Sequence, residues 1–202
     1  MITRTVLSAL VMLGAVPAQA QDGSTGQDIV VLEARTLDAN SGRTSINIAA
    51  GDHNQQAAAA LVAIGTFATG ALSLDQTLTE SNRGIAGPAE VVVGAGAVTD
   101  NSGLVSLNVS AGNGNQSANL TILNISQSGA LSDLQLSQAR APSEPSGSIS
   151  PSSADTEHSV SIANDAFSGN AGLVQINLTG GEANASANTF VLNVSAGGQQ
   201  QP

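Results

Sequence analysis

The chain has 202 residues, a formal net charge of −10 and no Cys. The acidic balance argues against nucleic acid and anionic membrane surfaces as partners, because both would repel it. Without Cys an exported chain must hold its shape without disulfides, and the absence of Trp and Tyr leaves aliphatic residues to form the core. Such side chains suit thin, flat layers better than a rounded core.

Residues 1–20 have the pattern of a secretory signal peptide. Arg4 precedes an apolar run over residues 6–16, and the small residues of 18–20 fit the rule for cleavage. The run is shorter than the roughly 20 apolar residues that a membrane-spanning helix needs. We therefore expect export, a mature chain that begins at Gln21, and no stable membrane insertion.

Three segments of the mature chain carry the same Asn, Gly and Ala positions. Counted from the first Asn, the later positions are offset by 2, 7, 11, 14 and 17 residues in every copy. Such fixed positions predict one structural unit used three times and stacked on its own copies. The three sets are Asn40, Gly42, Asn47, Gly51, Asn54 and Ala57; Asn101, Gly103, Asn108, Gly112, Asn115 and Ala118; and Asn170, Gly172, Asn177, Gly181, Asn184 and Ala187.

Extending this alignment outward divides the chain into three repeats joined by two linkers. The second linker is rich in Pro and Ser, so we expect it to be extended or disordered. The first linker is more apolar, and an added strand or a short helix are both open there. In chain order the predicted parts are signal peptide 1–20, N-terminal segment 21–29, repeat 1 30–65, linker 1 66–90, repeat 2 91–126, linker 2 127–159, repeat 3 160–195 and tail 196–202.

Inside each repeat, side chains alternate with a period of two, which predicts strands. Turns that need Gly or Asn conformations follow at 51–54, 112–115 and 181–184, and a further strand follows each turn. Helix competes only at 55–64, where Ala is a good helix former, but the β-branched residues of the sister segments favour strand. The predicted fold class is all-β, a short β-solenoid of stacked cross-β rungs.

Equivalent residues will lie above one another if the repeats stack at about 4.8 Å. Two columns of Asn would then form amide ladders, although ordinary turn usage also accounts for the second column. The ladder positions are Asn47, Asn108 and Asn177 in the first column and Asn54, Asn115 and Asn184 in the second. The predicted turn glycines are Gly42, Gly103 and Gly172, with Gly51, Gly112 and Gly181 in the following turn.

The charge distribution also favours stacking. Residues 101–132 contain no charged side chain, and like charges at matching positions would repel in a stack. Three stacked units leave two open faces, and unpaired strand edges are templates for another chain. We therefore expect polymerisation with identical chains, with the linkers outside the fibre.

The segment 46–57 reads INIAAGDHNQQA, with weaker echoes at 107–116 and 176–184. These segments resemble the repeats of the Fap functional-amyloid subunits of Gram-negative bacteria, which share the plan of a signal peptide, three imperfect repeats and two variable linkers. There is a looser similarity to curlins. The resemblance covers the repeats and not the linkers.

The resemblance implies export through the periplasm and outer membrane, nucleated fibre growth and a role in the biofilm matrix. It also implies a related nucleator or major subunit and an outer-membrane exporter as partners. The major subunit of that system carries a Cys-x-x-Cys motif that this chain lacks. Whether the chain is a major subunit or a nucleator therefore stays open.

The sequence contains no motif that predicts an enzyme function. The glycines of 91–98 begin like a dinucleotide fingerprint, but Thr99 stands at the third Gly position and no helix follows. His53 and His158 have no further ligand at metal-binding spacing. We therefore expect no enzyme activity, no catalytic residue, no cofactor and no metal. A monomeric β-solenoid adhesin, whose linkers contact a surface, remains the alternative to a fibre subunit.

Overall fold

The computed structural model describes residues 27–78, 87–140 and 157–196. These residues form eleven β-strands and no helix, so the predicted all-β class is confirmed. The strands are β1 (Asp28–Leu32), β2 (Leu37–Asp38), β3 (Ser41–Ala50), β4 (Gln55–Leu78), β5 (Ala89–Val93), β6 (Val98–Thr99), β7 (Ser102–Ala111), β8 (Gln116–Arg140), β9 (His158–Ile162), β10 (Ala171–Gly180) and β11 (Ala185–Ser195). The Ala run at 57–60 lies in β4, as predicted. No helix among the described residues has the length and apolarity to cross a membrane.

The strands form parallel sheets that each draw on distant parts of the chain. Three sheets have the orders β1-β5-β9, β10-β7-β3 and β11-β8-β4, and β2 pairs with β6. We call 28–78 segment 1, 89–140 segment 2 and 158–195 segment 3. In every three-stranded sheet the strand of segment 2 lies between the other two. Parallel neighbours need long connections, and the remainder of each segment supplies them.

The pairing register joins equivalent positions of the three segments. In the central sheet Asn108 pairs with Asn47 on one side and Asn177 on the other. In the next sheet Ala118 pairs with Ala57 and Ala187. A slip of one residue would turn every side chain to the opposite face, so the alternation of apolar and polar residues holds this register.

The apolar core lies between the sheets β1-β5-β9 and β10-β7-β3. Val91, Val93, Leu107 and Val109 are at most 1 % exposed, and all four belong to segment 2. Val30 and Leu32 of segment 1 are buried as well, but Ile46 and Ile48, the segment 1 equivalents of Leu107 and Val109, are only partly buried, and Val160 and Ile162 of segment 3 are exposed. The difference arises because only segment 2 has a neighbour on both sides.

Two strands extend beyond the predicted repeats, which is a departure from the expected linkers. The predicted repeats ended at 65 and 126, but β4 continues to Leu78 and β8 to Arg140. We call 67–78 arm 1 and 129–140 arm 2. The arms pair with each other in parallel after an irregularity at 65–67. Residues 127–140, for which an extended or a disordered linker was expected, are thus part of strand β8, and residues 66–78, for which a strand or a short helix was open, are part of strand β4.

The arms form because they bury the outer faces of their own segments. Side chains of arm 1 alternate between exposed and covered, and Ala68 and Leu78 are at most 9 % exposed. Leu120 and Ile122 of β8 are fully buried. Burial of such apolar area offsets the entropy of ordering the arms. The predicted signal peptide, residues 79–86 and 141–156 of the linkers, and residues 197–202 of the tail lie outside the described residues.

Candidate self-assembly site

The predicted first column of Asn lies on the face of β10-β7-β3 that is opposite the apolar core. The Nδ2 of Asn108 donates to Oδ1 of Asn47 at 2.8 Å, and the Nδ2 of Asn177 donates to Oδ1 of Asn108 at 2.9 Å. Each of the two donors also bonds a backbone carbonyl of the facing sheet, at Ala57 and Ala118 respectively. These bonds tie neighbouring segments and facing sheets together.

A second set of amides faces this column from β8 and β11. The Nδ2 of Asn119 donates to Oδ1 of Asn108 at 2.9 Å, and the Nδ2 of Asn188 donates to Oδ1 of Asn119 at 3.0 Å. The sequence reasoning missed both residues because segment 1 has Ala58 at the equivalent position. Their recurrence in two of three copies was the available signal.

The predicted second column lies in the turns after β3, β7 and β10. The backbone N–H of Asn115 donates to Oδ1 of Asn54 at 2.9 Å, and that of Asn184 donates to Oδ1 of Asn115 at 3.0 Å. The Nδ2 of Asn115 reaches forward to the carbonyl of Gly181 at 2.9 Å. The column therefore combines turn capping with bonds between segments.

A third Asn column was part of the repeated pattern but was not predicted as a ladder. The Nδ2 of Asn40 donates to Oδ1 of Asn101, and the Nδ2 of Asn101 donates to Oδ1 of Asn170, both at 2.9 Å. Here segment 1 donates to segment 2, which is the reverse of the direction in the Asn47 column. Its constant spacing was the signal that could have identified it.

The six predicted turn glycines all have positive φ, between 92° and 124°. A Cβ at Gly103 would collide with the carbonyl oxygen of Gly42, and one at Gly172 with that of Gly103. Gly112 faces the carbonyl of Gly181 in the same way. These positions therefore need Gly for the close approach of segments as well as for the backbone conformation.

The two ends of the stack leave equivalent groups without a neighbour. Asn47 is exposed at the segment 1 end, whereas Asn108 is 0 % exposed. At the segment 3 end, a groove of about 640 Å³ opens between β10 and β11, and Phe190 and Gln175 line it. The Oδ1 of Asn177 accepts a bond from Oγ of Ser186 at 2.7 Å there. The arrangement can continue its hydrogen bonding in both directions.

The family model of the functional amyloid protein FapB/FapC family matches residues 14–195. This chain belongs to that family. The resemblance seen in 46–57 and its two echoes is therefore confirmed. FapB/FapC proteins are structural amyloid proteins and not an enzyme family. A search of curated proteins and a search of solved structures each find no match.

Two charged groups of this FapB/FapC chain, Asp28 and Arg43, have shifted pKa values. Burial raises the pKa of Asp28, and the nearby charges of Asp52 and Glu182 raise it further. Burial lowers the pKa of Arg43. The described residues contain no group of three or more His, Cys, Asp or Glu that could hold a metal ion. The site offers amide hydrogen bonds and apolar contacts.

Proposed function

We propose that this FapB/FapC chain is a secreted fibre subunit that folds as a short β-solenoid and joins end to end with identical chains. The fibre would be an extracellular amyloid that serves biofilm formation and adhesion. The observation that carries the proposal is the Asn47–Asn108–Asn177 column, in which Asn108 is bonded on both sides, Asn47 is exposed at the segment 1 end, and Asn177 is the last member at the segment 3 end.

The direction of the hydrogen bonds supports head-to-tail addition. In the Asn47 column each segment donates to the one before it, and no described residue accepts from Nδ2 of Asn47. A second copy that placed its segment 1 on segment 3 would bring this donor to Oδ1 of Asn177. The donor would replace Ser186, whose equivalent Ser117 in segment 2 contacts Ser110 instead.

Apolar burial favours the same joint. Ile46 and Ile48 at one end, and Val174, Ile176 and Leu178 at the other, are only partly buried. Stacking of segment 1 on segment 3 would bury both sets, just as Leu107 and Val109 of segment 2 are already buried between segments 1 and 3. A free chain has two interfaces between segments, and a chain within a fibre has three per molecule. Apolar burial would stabilise the joint without fixing its alignment, because the hydrophobic effect is non-directional. The hydrogen bonds of the amide columns would set the register.

The cellular setting rests on the sequence and the family. The signal-peptide pattern of residues 1–20 supports export to the periplasm, and the FapB/FapC match supports an extracellular fibre outside a Gram-negative cell. A related nucleator or major subunit and an outer-membrane exporter would be the further partners. As a subunit of an amyloid fibre, the chain would have a structural role and would need no cofactor.

The direct test is assembly of the purified chain from Gln21 onward at micromolar concentration. We expect dye-binding fibrils whose diffraction has reflections near 4.8 Å along the fibre axis and near 10 Å across it. Preformed fibrils of the same chain should abolish the lag phase that precedes fibril growth. A chain that stays monodisperse, with or without these seeds, contradicts the proposal.

A further inference from the structure

Arg43 is an inward-facing charge on an edge strand. It lies on β3, the outer strand of the central sheet, in register with Leu104 and Leu173. Its Nη2 donates to the carbonyl of Ala58 at 3.0 Å, so the side chain crosses the space between β3 and β4. Its Nε is buried and has no hydrogen-bond partner among the described residues. Burial lowers the pKa of Arg43, as expected for a cation that loses water.

The groove at the opposite end of the stack is uncharged. Leu173, Gln175, Asn188 and Phe190 line it, and no carboxylate is among the residues that form it. The register places Asn188 in the column of Ala58 and Phe190 in the column of Ala60. The small side chains of segment 1 thus complement the large ones of segment 3.

Continuing the register across a joint fixes where Arg43 would lie. Its backbone would pair with Leu173 of the preceding copy, and its guanidinium would cover Asn188 and Phe190 of that copy. The ring of Phe190 and the amide oxygens offer partial compensation for the charge. A buried cation without a carboxylate nevertheless costs free energy, because its hydration is lost.

We propose that Arg43 restrains the addition of a second copy of this chain to the segment 3 end. The inference rests on the proposed function, since it concerns the joint of the fibre. Inward-pointing charges on edge strands are a known device against uncontrolled pairing of sheets. Arg43 lets the chain remain soluble until its local concentration is high.

The first test replaces Arg43 with the residue found at both equivalent positions. We expect Arg43→Leu to lower the soluble concentration that coexists with fibres by at least about fivefold, and to speed growth from wild-type seeds. The control is Arg35→Leu, which removes the same charge from a side chain that is 81 % exposed and paired with Asp38. We expect the control to match the wild type.

The second test reports the register of the joint. Leu173→Glu places a carboxylate under Arg43 of the next copy, at the open end of the stack. We compare the effect of Leu173→Glu on the soluble concentration in two backgrounds, the wild type and Arg43→Leu. We expect a much smaller rise relative to the wild type than relative to Arg43→Leu, because the second background leaves the new carboxylate unpaired. Circular dichroism of freshly diluted chains establishes that each variant keeps its β-structure.

The outcomes separate this inference from the proposed function. If the wild type forms fibres and Arg43→Leu raises the soluble concentration or leaves it at the Arg35→Leu value, the restraint by Arg43 is refuted while the fibre stands. Equal effects of Leu173→Glu in both backgrounds refute the head-to-tail register at Arg43. If the wild type forms no fibres, the proposed function fails first.

Discussion

At the scale of single residues, buried amides replace the charges and aromatics that other cores use. Asn108 is 0 % exposed, donates twice, and accepts bonds from Asn119 and Asn177. A buried amide is tolerated only when its partners are present, because an unpaired polar group keeps its desolvation cost. The column therefore gives specificity of register as well as cohesion.

We expect Asn108→Ala to lower the free energy of unfolding by about 2–4 kcal/mol, because it leaves several buried donors and acceptors without partners. Urea unfolding of the soluble chain, followed by circular dichroism, measures the change. Asn164→Ala is the control, since that side chain is exposed in a turn, and its effect should stay within about 0.5 kcal/mol. Equal effects at the two positions would contradict the role of the column.

Asp28 gives a prediction on pH dependence. Burial and the charges of Asp52 and Glu182 raise its pKa above the usual 3.8. Because the folded chain binds this proton more tightly, the contribution of Asp28 favours folding below the unfolded-state pKa and is lost as pH rises through the folded-state pKa. Asp28→Asn should therefore stabilise the chain at pH 7 and leave it unchanged near pH 3.

Urea unfolding at several pH values measures this difference, which should stay below about 1 kcal/mol because solvent screens the carboxylate. Asp52→Asn removes one of the facing charges and should reduce the same pH dependence in part. A stabilisation by Asp28→Asn that is as large at pH 3 as at pH 7 would show that ionisation is not its cause.

At the scale of elements, the arms are held over their own segments by close packing and Gln side chains. The Nε2 of Gln116 donates to carbonyls of both arms, at Gln76 and Ala139. The Nε2 of Gln138 donates to Oε1 of Gln76 at 2.8 Å, which ties arm 2 to arm 1. The arms are thus the outer layer of segments 1 and 2.

We expect Gly70→Ala to loosen arm 1. A Cβ at Gly70 would lie 2.7 Å from Cδ2 of Leu61 and 2.9 Å from Cγ2 of Ile122, too close for ordinary packing. Hydrogen exchange should then show lost protection over 67–78 and retained protection over 41–50. Gly129→Ala is the matched control, because the nearest atom to its Cβ lies 3.5 Å away on Phe67. Retained protection of the arm in Gly70→Ala would rule out this packing.

At the scale of the whole molecule, burial is greatest in segment 2 and falls towards both ends. Val91 is 0 % exposed, whereas its equivalent Val160 in segment 3 is 43 % exposed. The free energy that remains to be gained lies at the two ends, where apolar and amide groups face solvent. A second copy offers the same groups in the same register.

Gly42→Ala tests the joint without altering an interface inside the chain. Nothing lies within 4 Å of a Cβ at Gly42, but the equivalent Cβ at Gly103 would collide with the preceding segment. The variant should therefore fold with a modest backbone strain of about 1–2 kcal/mol and fail to extend wild-type seeds.

Gly96→Ala is the matched control, since Gly96 also has positive φ and open space around its Cβ. It should extend the seeds at close to the wild-type rate, as measured by dye fluorescence. Normal seeded growth of Gly42→Ala would show that the joint does not form at the unpaired edge of β3.

The sequence by itself predicted the strands, the equivalent positions and the family. Period-two alternation and equal offsets are local signals, so 41–50 could be identified as a strand and Asn47 assigned to the position of Asn108 and Asn177. The register of the sheets joins those same positions. Pattern reasoning worked here because the same residue offsets occur at three places in the sequence.

Only the tertiary structure decided the arms, the Asn119–Asn188 amides, the inward direction of Arg43 and the approach of Glu182 to Asp28. None of these repeats in all three copies, so spacing could not reveal them. Each depends on which surfaces remain uncovered once the segments are stacked. Residues far apart in the chain then cover those surfaces, and the local alternation of side chains carries no information about which residues these are.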